Sequence, residues 1–358
     1  MSSTFGNKLR ISVFGQSHGE GLGVVLDGLP AGLSIDLTRI GAFLSRRAPG
    51  KKAAYSTARR ESDEPRILSG LVEGKTCGAP LCAVFENNDA RSNDYEKMRY
   101  LPRPGHADYP AFVKHKGFND IRGGGHFSAR LTLPLCFAGA VCLQILKEKG
   151  VSIGAHILSV KDICDVPFDP VEVDEAALYL PKERQLPVLN ADVIPQMEKL
   201  FEETAAAGDS VGGVIECCVL GLPVGLGEPM FDGLENRLSA SVFAVPAVKG
   251  IEFGAGFEAS RLFGSENNDP FCYENGKVKT KTNRHGGILG GLSSGMPLVF
   301  RAAMKPTPSI AIEQDTVNLQ SEENAKLTVT GRHDVCIVPR AVPCIEAAAA
   351  IALADLMI

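Results

Sequence analysis

The chain contains 358 residues, 44% of them hydrophobic and 22% charged, with a formal net charge of −5 at pH 7. A chain of this length can form two ordinary domains or one large domain with a substantial core, and the composition is that of a globular protein. The acidic balance argues against a general nucleic-acid-binding or anionic-membrane surface.

The first predicted elements are two strands around a loop that carries a histidine. Residues 10–27 contain apolar, β-branched segments on either side of a glycine-bounded turn, which indicates strand, loop and strand. His18 lies in that loop, where side chains usually face solvent or a cleft. Apolar spacing then predicts a helix over Leu37–Arg47, with Arg46 and Arg47 at its end. The local cluster of basic residues that begins here favours a focused pocket for a small polyanion.

The most informative stretch is 103–130, which reads R-P-G-H-A-D-Y and, after a short link, R-G-G-G-H-F-S-A-R. Three consecutive glycines permit backbone conformations that let N–H groups approach an anion. The apolar run 131–146 predicts a buried helix, whose N-terminus would add its positive dipole end. We predict a phosphate or carboxylate site beside titratable imidazoles; the alternative is a solvated loop with incidental histidines. The basic side chains of the two motifs are Arg103, His106, Arg122, His126 and Arg130.

The second half of the chain alternates further helices and strands with polar segments. Helical spacing predicts helices near 193–207 and around 232–243. Residues 265–284 are polar throughout, and a loop of that length predicts a lid or a disordered segment. A glycine-rich turn leads into a strand that ends at Lys305. An alanine-rich helix, expected from about Cys344 to Met357, closes the chain.

Two short motifs recur in the same order along the chain. They are G-L-P-A-G-L at 28–33 with G-L-P-V-G-L at 221–226, and I-L-S-G-L at 67–71 with I-L-G-G-L at 288–292. Both copies of the first motif follow an apolar, strand-like run and precede a helical pattern. We therefore predict a single domain over residues 1–358 with an internal repeat, approximately 1–110 and 208–345. The alternative is chance similarity in a glycine-rich chain.

Cysteine usage and the length of the apolar runs bear on the compartment. Most of the ten cysteines lie in apolar runs and none forms a C-x-x-C pair, so we expect reduced thiols rather than disulfides or a zinc site. No apolar run reaches the roughly 20 residues that span a bilayer. The start, M-S-S-T-F-G-N-K-L-R, lacks the apolar core of a signal peptide. We therefore expect a cytoplasmic protein.

Six motifs in sequence order resemble those of the chorismate synthase family, and they extend over nearly the whole chain. The motifs are G-Q-S-H-G-E-G-L-G, R-P-G-H-A-D-Y, R-G-G-G-H-F-S-A-R, G-G-I-L-G-G-L-S-S-G, K-P-T-P-S and G-R-H-D-V-C-I-V-P-R-A-V-P. The resemblance implies conversion of 5-enolpyruvylshikimate 3-phosphate to chorismate, in the shikimate pathway of aromatic amino acid biosynthesis. Phosphate would leave C3 and a proton would leave C6 in an anti 1,4-elimination, the work of a carbon–oxygen lyase.

The resemblance also implies a fold, a cofactor and partners. The fold would be an α/β (α+β) β-α-β sandwich with internal pseudo-twofold duplication, assembled as a homotetramer. Reduced FMN (FMNH2) would be required although the reaction is redox-neutral, and would lend electron density transiently to the departing phosphate. Its reductant is left open between NADPH used by this chain and a separate flavin reductase. No metal, nucleic-acid or membrane partner is expected.

Individual residues receive roles from the same resemblance. His18 would protonate the leaving phosphate, His106 would balance charge at the N1 and O2 edge of the flavin, and Asp334 would take the C6 proton together with flavin N5. The substrate anions would be bound by Arg46, Arg47, Arg103, Arg130 and Arg332. Flavin contacts would fall on Arg47, His126, Phe127, Ser128, Pro246, Ala247, Gly290, Lys305, Pro306, Thr307, Pro308, Ser309 and Arg332. Arg47 is alternatively an NADPH contact.

Three positions depart from the usual pattern of the family. His126-Phe127 stands where Arg-Ser or Arg-Ala is common, and Pro246 stands where asparagine is common. Ala54 replaces a basic residue, although two lysines just before it are close enough to substitute. These departures concern flavin and substrate contacts and leave the reaction class unchanged.

Other functions fit part of the pattern. Arginine, histidine and glycine chemistry without a flavin would also suit a histidine-dependent phosphatase or phosphotransferase. A metabolite-binding or scaffold protein is the non-enzymatic alternative, against which the glycine-flanked loop histidines argue. For Asp334 the alternative to a base is a salt-bridged turn. We expect His115, His156 and His285 to be structural or on the surface.

Overall fold

The computed structural model describes residues 3–48, 63–87, 99–329 and 334–358, so Ala54 and Arg332 lie outside the described residues. The strands are β1 (Thr4–Phe5), β2 (Arg10–Gly15), β3 (Gly21–Asp27), β4 (Arg66–Ser69), β5 (Leu71–Val72), β6 (Lys75–Thr76), β7 (Leu81–Glu86), β8 (Ser152–Val160), β9 (Ile163–Cys164), β10 (Gly213–Leu220), β11 (Val248–Phe253), β12 (Phe271–Glu274), β13 (Lys277–Thr280), β14 (Ile288–Leu289), β15 (Leu292–Ser293), β16 (Leu298–Met304), β17 (Gln314–Asn318) and β18 (Glu323–Leu327). The helices are α1 (Leu37–Arg47), α2 (Asp108–Lys114), α3 (Thr132–Glu148), α4 (Glu175–Tyr179), α5 (Ile194–Ala206), α6 (Leu234–Val242), α7 (Gly264–Asn267) and α8 (Val338–Met357).

Two five-stranded antiparallel sheets form two layers of the fold. The first has the order β1-β2-β3-β7-β4 and the second the order β11-β16-β10-β8-β9. In β7 every second residue (Leu81, Ala83, Phe85) is fully buried, the period of a strand with one face on the core. By contrast β8 is buried along almost its whole length, as expected of a strand that is covered on both faces.

A layer of helices lies between the sheets. Helix α3 packs against β2, β3 and β7, while α8 packs against β8 and β10, and the two helices pack on each other. Their backbones approach so closely at Gly139 that a Cβ there would lie only 2.2 Å from the Cβ of Ala347. Apolar side chains from both sheets and these helices form one continuous core. The fold is therefore a β-α-β sandwich, as predicted.

One helical stretch, Ala129–Glu148, has the length and composition to cross a membrane. Most of it is buried inside the protein, because α3 is a central helix of the sandwich. The stretch includes the charged residues Arg130, Lys147 and Glu148, so the apolar run within it is the predicted 131–146. A 3₁₀ turn at Ala129–Leu131 extends the apolar helix at its N-terminal side.

The first recurring motif occupies matching places in the two sheets. One copy follows β3 and the other follows β10, which are the central strands of their sheets. Each begins with a glycine at positive φ, 98° at Gly28 and 83° at Gly221. A Cβ at either would lie about 2 Å from a carbonyl oxygen, that of Lys8 or of Gly150. The second motif does not match in this way, since one copy extends from β4, an edge strand of the first sheet, into β5, and the other lies in the separate hairpin β14–β15. The internal duplication stays a prediction.

Residues 265–284 do not form the expected lid or disordered loop. They contain the end of α7 and the hairpin of β12 and β13, paired from Phe271 with Thr280 to Glu274 with Lys277. The hairpin turns at Asn275-Gly276, both at positive φ (50° and 74°). Asn-Gly is the strongest short-range signal for a two-residue hairpin, and the polar composition of the segment concealed it.

The C-terminal helix begins earlier than predicted. Helix α8 starts at Val338 rather than near Cys344, and Pro343 lies inside it. Proline is compatible with the first turn of a helix, where Pro339 stands, but usually breaks an interior. The other helices at 37–47, 131–146, 193–207 and 232–243 are confirmed to within a few residues.

The second sheet contains a buried ion cluster remote in sequence from the glycine stretch. His156 of β8 is fully buried, with Nδ1 3.2 Å from Asp165 Oδ2 and Nε2 3.1 Å from Glu216 Oε2. Arg301 of β16 donates from Nε to Glu216 Oε1 at 3.0 Å. Burial lowers the pKa of His156, but the two carboxylates outweigh it and the pKa is raised. His156 is thus structural, as expected.

Candidate active site

The three consecutive glycines adopt a backbone that other residues rarely adopt. Gly123, Gly124 and Gly125 have φ of 58°, 84° and 55° within the turn Arg122–Phe127. A Cβ at Gly123 would lie 2.4 Å from His18 Nδ1, and one at Gly124 would lie 3.1 Å from His106 Nε2. The glycines therefore let two loop histidines approach adjacent points of one backbone turn.

His18 reaches this turn because its own loop is bound to it. The loop connects β2 and β3, and the amide of Ser17 donates to the carbonyl of Gly125 at 3.0 Å. Ser17 Oγ lies 3.2 Å from His18 Nδ1. The nearby Asp120 carries a negative charge: burial raises its pKa, but Arg122 and, to a lesser extent, His18 outweigh this and lower it. An imidazole so placed can transfer a proton at the edge of the glycine turn.

His106 and Arg103 are held together by Asp108, the first residue of α2. Arg103 donates from Nε to Oδ2 of Asp108 at 2.7 Å and from Nη2 to Oδ1 at 2.9 Å. His106 Nδ1 lies 2.6 Å from the same Oδ1. Burial raises the pKa of Asp108, but the hydrogen bonds from Arg103 and His106 outweigh it and hold the pKa well below its usual range. Asp108 is therefore an ionised carboxylate between two basic groups.

The segment Lys305–Ser309 lies beside Arg103. Nη1 of Arg103 donates to Ser309 Oγ at 3.3 Å, and a Cβ at Gly105 would lie 3.5 Å from the Cβ of Pro308. Ala247, at φ 74°, accepts a backbone hydrogen bond from Lys305 and so brings residues 246–247 to the same place. The structure thus joins three sequence-predicted groups, those around 103–106, 123–125 and 305–309.

A second cationic group lies where the glycine stretch meets α3. Arg47 and Arg130, exposed by only 4% and 7%, flank Asp63, whose carboxylate is 3.2 Å from Arg47 Nη1 and 2.7 Å from Arg130 Nη1. Arg47 also donates from Nε to Thr132 Oγ1 at 3.0 Å. Two buried guanidinium groups around one carboxylate carry excess positive charge, which suits a further anion.

Asp334 forms an ion pair next to this group. Nη1 of Arg340 donates to Asp334 Oδ2 at 2.5 Å, and Nε of Arg340 donates to the carbonyl of Arg47 at 3.0 Å. Arg340 therefore ties Asp334 to the end of α1. The ion pair with Arg340 brings Asp334 to the arginine group, and the alternative of a salt-bridged turn within 332–334 falls partly outside the described residues.

Some predicted contacts lie elsewhere or have other partners. Arg46 is bound through both Nη atoms to the buried carboxylate of Glu346, at 2.6 and 2.9 Å, which indicates a structural role. Nδ1 of His126 forms a hydrogen bond with the carbonyl of Gly15 at 2.8 Å, and Nε2 forms one with Ser3 Oγ at 2.7 Å. Both ring nitrogens of His126 are thus engaged with the N-terminal strands.

The remaining predicted flavin contacts differ in what surrounds them. Phe127 is partly exposed beside the ring of His115, and Ser128 caps the turn Ala129–Leu131 by accepting from the amide of Arg130. Gly290 lies in the exposed turn of β14–β15, where a Cβ would meet open space. Arg332 falls outside the described residues.

Four residues that contact the predicted site were not predicted: Asp63, Asp108, Thr132 and Arg340. The signal for Asp108 was its position five residues after Arg103 and two after His106, within reach of both. Thr132 opens α3 and lies two residues after Arg130. Asp63 and Arg340 are brought to Arg47 only by the tertiary fold, so sequence spacing gave no signal for them.

Comparisons with known proteins agree with this geometry. A family model described as chorismate synthase matches residues 9–358. The chain is 46% identical to a chorismate synthase of Lancefieldella parvula and 48% identical to one of Dehalococcoides mccartyi, in each case over 99% of this chain and 96% of the relative. It is also similar to a crystal structure of chorismate synthase, with a TM-score of 0.77 and 27% identity over 99% of this chain and 92% of that one.

Proposed function

The chain belongs to the chorismate synthase family, and from this premise we propose how its own residues carry the reaction. The reaction is the anti 1,4-elimination of phosphate and the C6 proton from 5-enolpyruvylshikimate 3-phosphate, which gives chorismate in the shikimate pathway. The enzyme is a carbon–oxygen lyase that acts on a phosphate ester.

Arginines bind the substrate, which carries two carboxylates and a phosphate. Arg47 and Arg130 offer buried guanidinium groups around Asp63, and Arg103 offers another at the glycine turn. Guanidinium groups bind such anions through paired hydrogen bonds, and they do so most strongly where water is excluded. We extend the same role to Arg332 on the resemblance alone, and we assign Arg46 to the structure because Glu346 occupies its guanidinium.

His18 acts as the general acid for the leaving phosphate. Its ring lies at the edge of the glycine turn, whose positive-φ backbone lets other groups approach closely. A phosphate that leaves as a dianion needs a proton, and histidine can supply one near neutral pH. The single observation that carries this proposal is that His18 and His106 face neighbouring glycines of one turn.

Asp334 acts as the base that takes the C6 proton. Arg340 holds it beside the arginine group that binds substrate, because its guanidinium donates both to Asp334 Oδ2 and to the carbonyl of Arg47. A base must lie within reach of the carbon acid, and the position of Asp334 beside these arginines supports that condition. C6 of the substrate would face Asp334, while the departing phosphate would face the acid, His18.

The residues around Lys305 fit reduced FMN. Thr307 Oγ1 is buried and has no hydrogen-bond partner among the described residues, and Lys305 Nζ donates to the carbonyl of Pro306 at 3.3 Å. Burial, with a smaller contribution from Lys249, lowers the pKa of Lys305, and a bound anion would oppose this shift. Lys305, Thr307, Ser309 and Ala247 would hold the flavin. When bound, reduced FMN supplies electron density transiently to the breaking carbon–oxygen bond.

His106 lies beside the proposed flavin site. Its Nε2 edge faces Gly124, and Asp108 lies behind Nδ1. A protonated imidazole there would balance negative charge on a reduced flavin, as the family resemblance implies. The contacts to Pro246, Pro306, Pro308 and Gly290 rest on the resemblance alone.

Partners and compartment remain proposals. We propose a homotetramer, with reduction of FMN either by NADPH at Arg47 or by a separate flavin reductase. We propose a cytoplasmic location, which the free state of all ten cysteines supports.

A binding experiment tests the flavin site. FMN is titrated into the protein in the presence of substrate, and the flavin absorbance reports binding for the wild type, Thr307→Val and the control Thr38→Val at the start of α1. We expect at least a tenfold loss of affinity in Thr307→Val, because a hydrogen bond to the flavin disappears without a change of shape. Equal affinity in all three proteins would remove Thr307 from the site, and no FMN binding by the wild type would contradict the flavin proposal.

A further inference from the structure

We infer that Asp108 is a positioning residue that fixes the proton of His106 on Nδ1 and directs Nε2 of that ring to the glycine turn. The inference concerns the geometry of one carboxylate and the two basic groups around it. Its kinetic consequence rests on the role proposed for His106, whereas its structural content does not.

The proton position follows from the contact between the two side chains. Nδ1 of His106 lies 2.6 Å from Oδ1 of Asp108, which is the distance of a hydrogen bond to a charged acceptor. An ionised carboxylate can only accept, so the imidazole must donate. Arg103 keeps Asp108 ionised, because it directs its backbone amide and two guanidinium nitrogens at the same carboxylate, at 3.1, 2.7 and 2.9 Å.

The same arrangement determines where the other ring nitrogen faces. A Cβ at Gly124 would lie 3.1 Å from both Nε2 and Cε1 of His106, so that edge of the ring faces the backbone of the glycine turn. With Nδ1 donating to Asp108, any further proton on the ring is on Nε2 and points to the site.

Asp108 also allows the donor groups of Arg103 and His106 to lie next to each other. Nη2 of Arg103 lies 3.1 Å from Nδ1 of His106, so two donors face each other at hydrogen-bond distance. Oδ1 of Asp108 lies within 2.9 Å of both nitrogens and accepts from each. Nη2 of Arg103 also lies 3.3 Å from Nε2; without the carboxylate it would donate to the nearer nitrogen, a bare Nδ1, and the ring proton would move to Nε2.

Nitrogen-15 NMR of the free protein tests the inference directly. At about pH 8, where an ordinary histidine is neutral, the chemical shifts of the two ring nitrogens report which one carries the proton, and His106→Gln identifies the signal. We expect a protonated Nδ1 in the wild type and a bare Nδ1 in Asp108→Ala. Asp120→Ala, which removes another arginine-paired aspartate from the same stretch, is the matched control and should leave the His106 signal unchanged.

The outcomes separate clearly. A bare Nδ1 in the wild type overturns the inference, as does an unchanged Nδ1 proton in a folded Asp108→Ala. If that variant does not fold, Asp108→Ser, which keeps a polar residue at the start of α2 but cannot reach the ring, takes its place, and the wild-type spectrum decides by itself in either case.

Turnover provides a second readout. We expect kcat of Asp108→Ala to fall about 10²-fold, the typical cost of a misplaced catalytic group, with partial recovery in Asp108→Glu. Wild-type turnover in folded Asp108→Ala would overturn the positioning role. If the NMR result holds but His106→Gln turns over normally, then the proposed role of His106 fails and the proton position stands.

Discussion

Nη1 of Arg340 donates to Oδ2 of Asp334 at 2.5 Å, and the same guanidinium reaches back to the carbonyl of Arg47. One partly buried arginine thus connects the proposed base with an arginine of the proposed substrate clamp. Asp334 can act as the base or can hold Arg340 in place, and substitution of Asp334 distinguishes the two roles.

We predict that Asp334→Asn keeps substrate and FMN affinity nearly unchanged and loses kcat by about 10²–10⁴-fold, because the amide fills the same space but cannot accept the C6 proton. Steady-state kinetics and FMN titration measure the two effects. Lost substrate affinity with preserved kcat would show instead that Asp334 only holds the arginine group in place. The melting temperature is measured alongside, since a fall of many degrees would indicate that the ion pair is mainly structural.

Substitution of His18 by alanine should lower turnover by about 10²–10⁴-fold with the fold intact, the range typical of positioned proton transfer. The same range is expected for His106→Ala. His285→Ala is the matched control, because that histidine pairs with Asp269 in a different part of the chain. Near-normal turnover in either site variant would remove that histidine from the mechanism.

Gly124→Val should weaken FMN and substrate binding together. A β-branched residue is strained at φ 84°, and its Cβ would lie 3.1 Å from the ring of His106. Gly150→Val supplies the control, since its φ of 78° is equally restrictive but a Cβ there meets open space. Loss of binding in Gly150→Val as well would show that backbone strain, rather than the approach to His106, causes the effect.

Arg46→Ala should destabilise the fold and leave KM for the substrate unchanged. Glu346 is fully buried, and removal of its bidentate partner leaves an uncompensated charge at a cost of about 3–5 kcal/mol in the free energy of unfolding. Urea denaturation and substrate kinetics are compared with those of the wild type. Unchanged stability with a raised KM would return Arg46 to the substrate clamp.

The buried cluster around His156 should make stability depend on pH. The raised pKa of His156 means that its contribution is fully present below the unfolded value of about 6.5 and is lost as pH rises through the folded pKa. Burial raises the pKa of Glu216, but the hydrogen bond with His156 outweighs burial, and the pKa of Glu216 is lowered. The contribution of Glu216 to stability is therefore present above about pH 4.3 and is lost as pH falls through the folded pKa.

The difference in unfolding free energy between the wild type and His156→Gln should therefore be largest at about pH 5–6 and should narrow as the medium becomes more alkaline. Urea denaturation at several pH values measures it. A difference that stays constant across this range would show that His156 contributes through packing alone.

Much of the fold follows from local sequence pattern. Apolar spacing was enough for α1, α3, α5 and α6, because each buries one face or all of a helix in the same core. The hairpin at 271–280 was missed because its polar residues concealed the Asn-Gly turn. The predicted helix covered only the alanine-rich part after Pro343, whereas α8 begins at Val338.

The site was predictable only where its residues are close in sequence. The glycine turn and the residues around Arg103 lie in one stretch, so the anion site that they form together could be predicted. The pairing of Arg46 with Glu346, and the connection of Arg340 to Arg47, span about three hundred residues and depend on how α8 packs against α1. Such contacts decide which of two adjacent arginines faces the site, and sequence spacing does not contain them.

The most direct test of the account is anaerobic turnover of 5-enolpyruvylshikimate 3-phosphate by the purified chain with chemically reduced FMN. The account predicts chorismate and inorganic phosphate in equal amounts with reduced FMN, no turnover with oxidised FMN alone, and a loss of about 10²-fold or more in His18→Ala. Phosphate release without chorismate, or turnover at the same rate in the absence of any flavin, would contradict it.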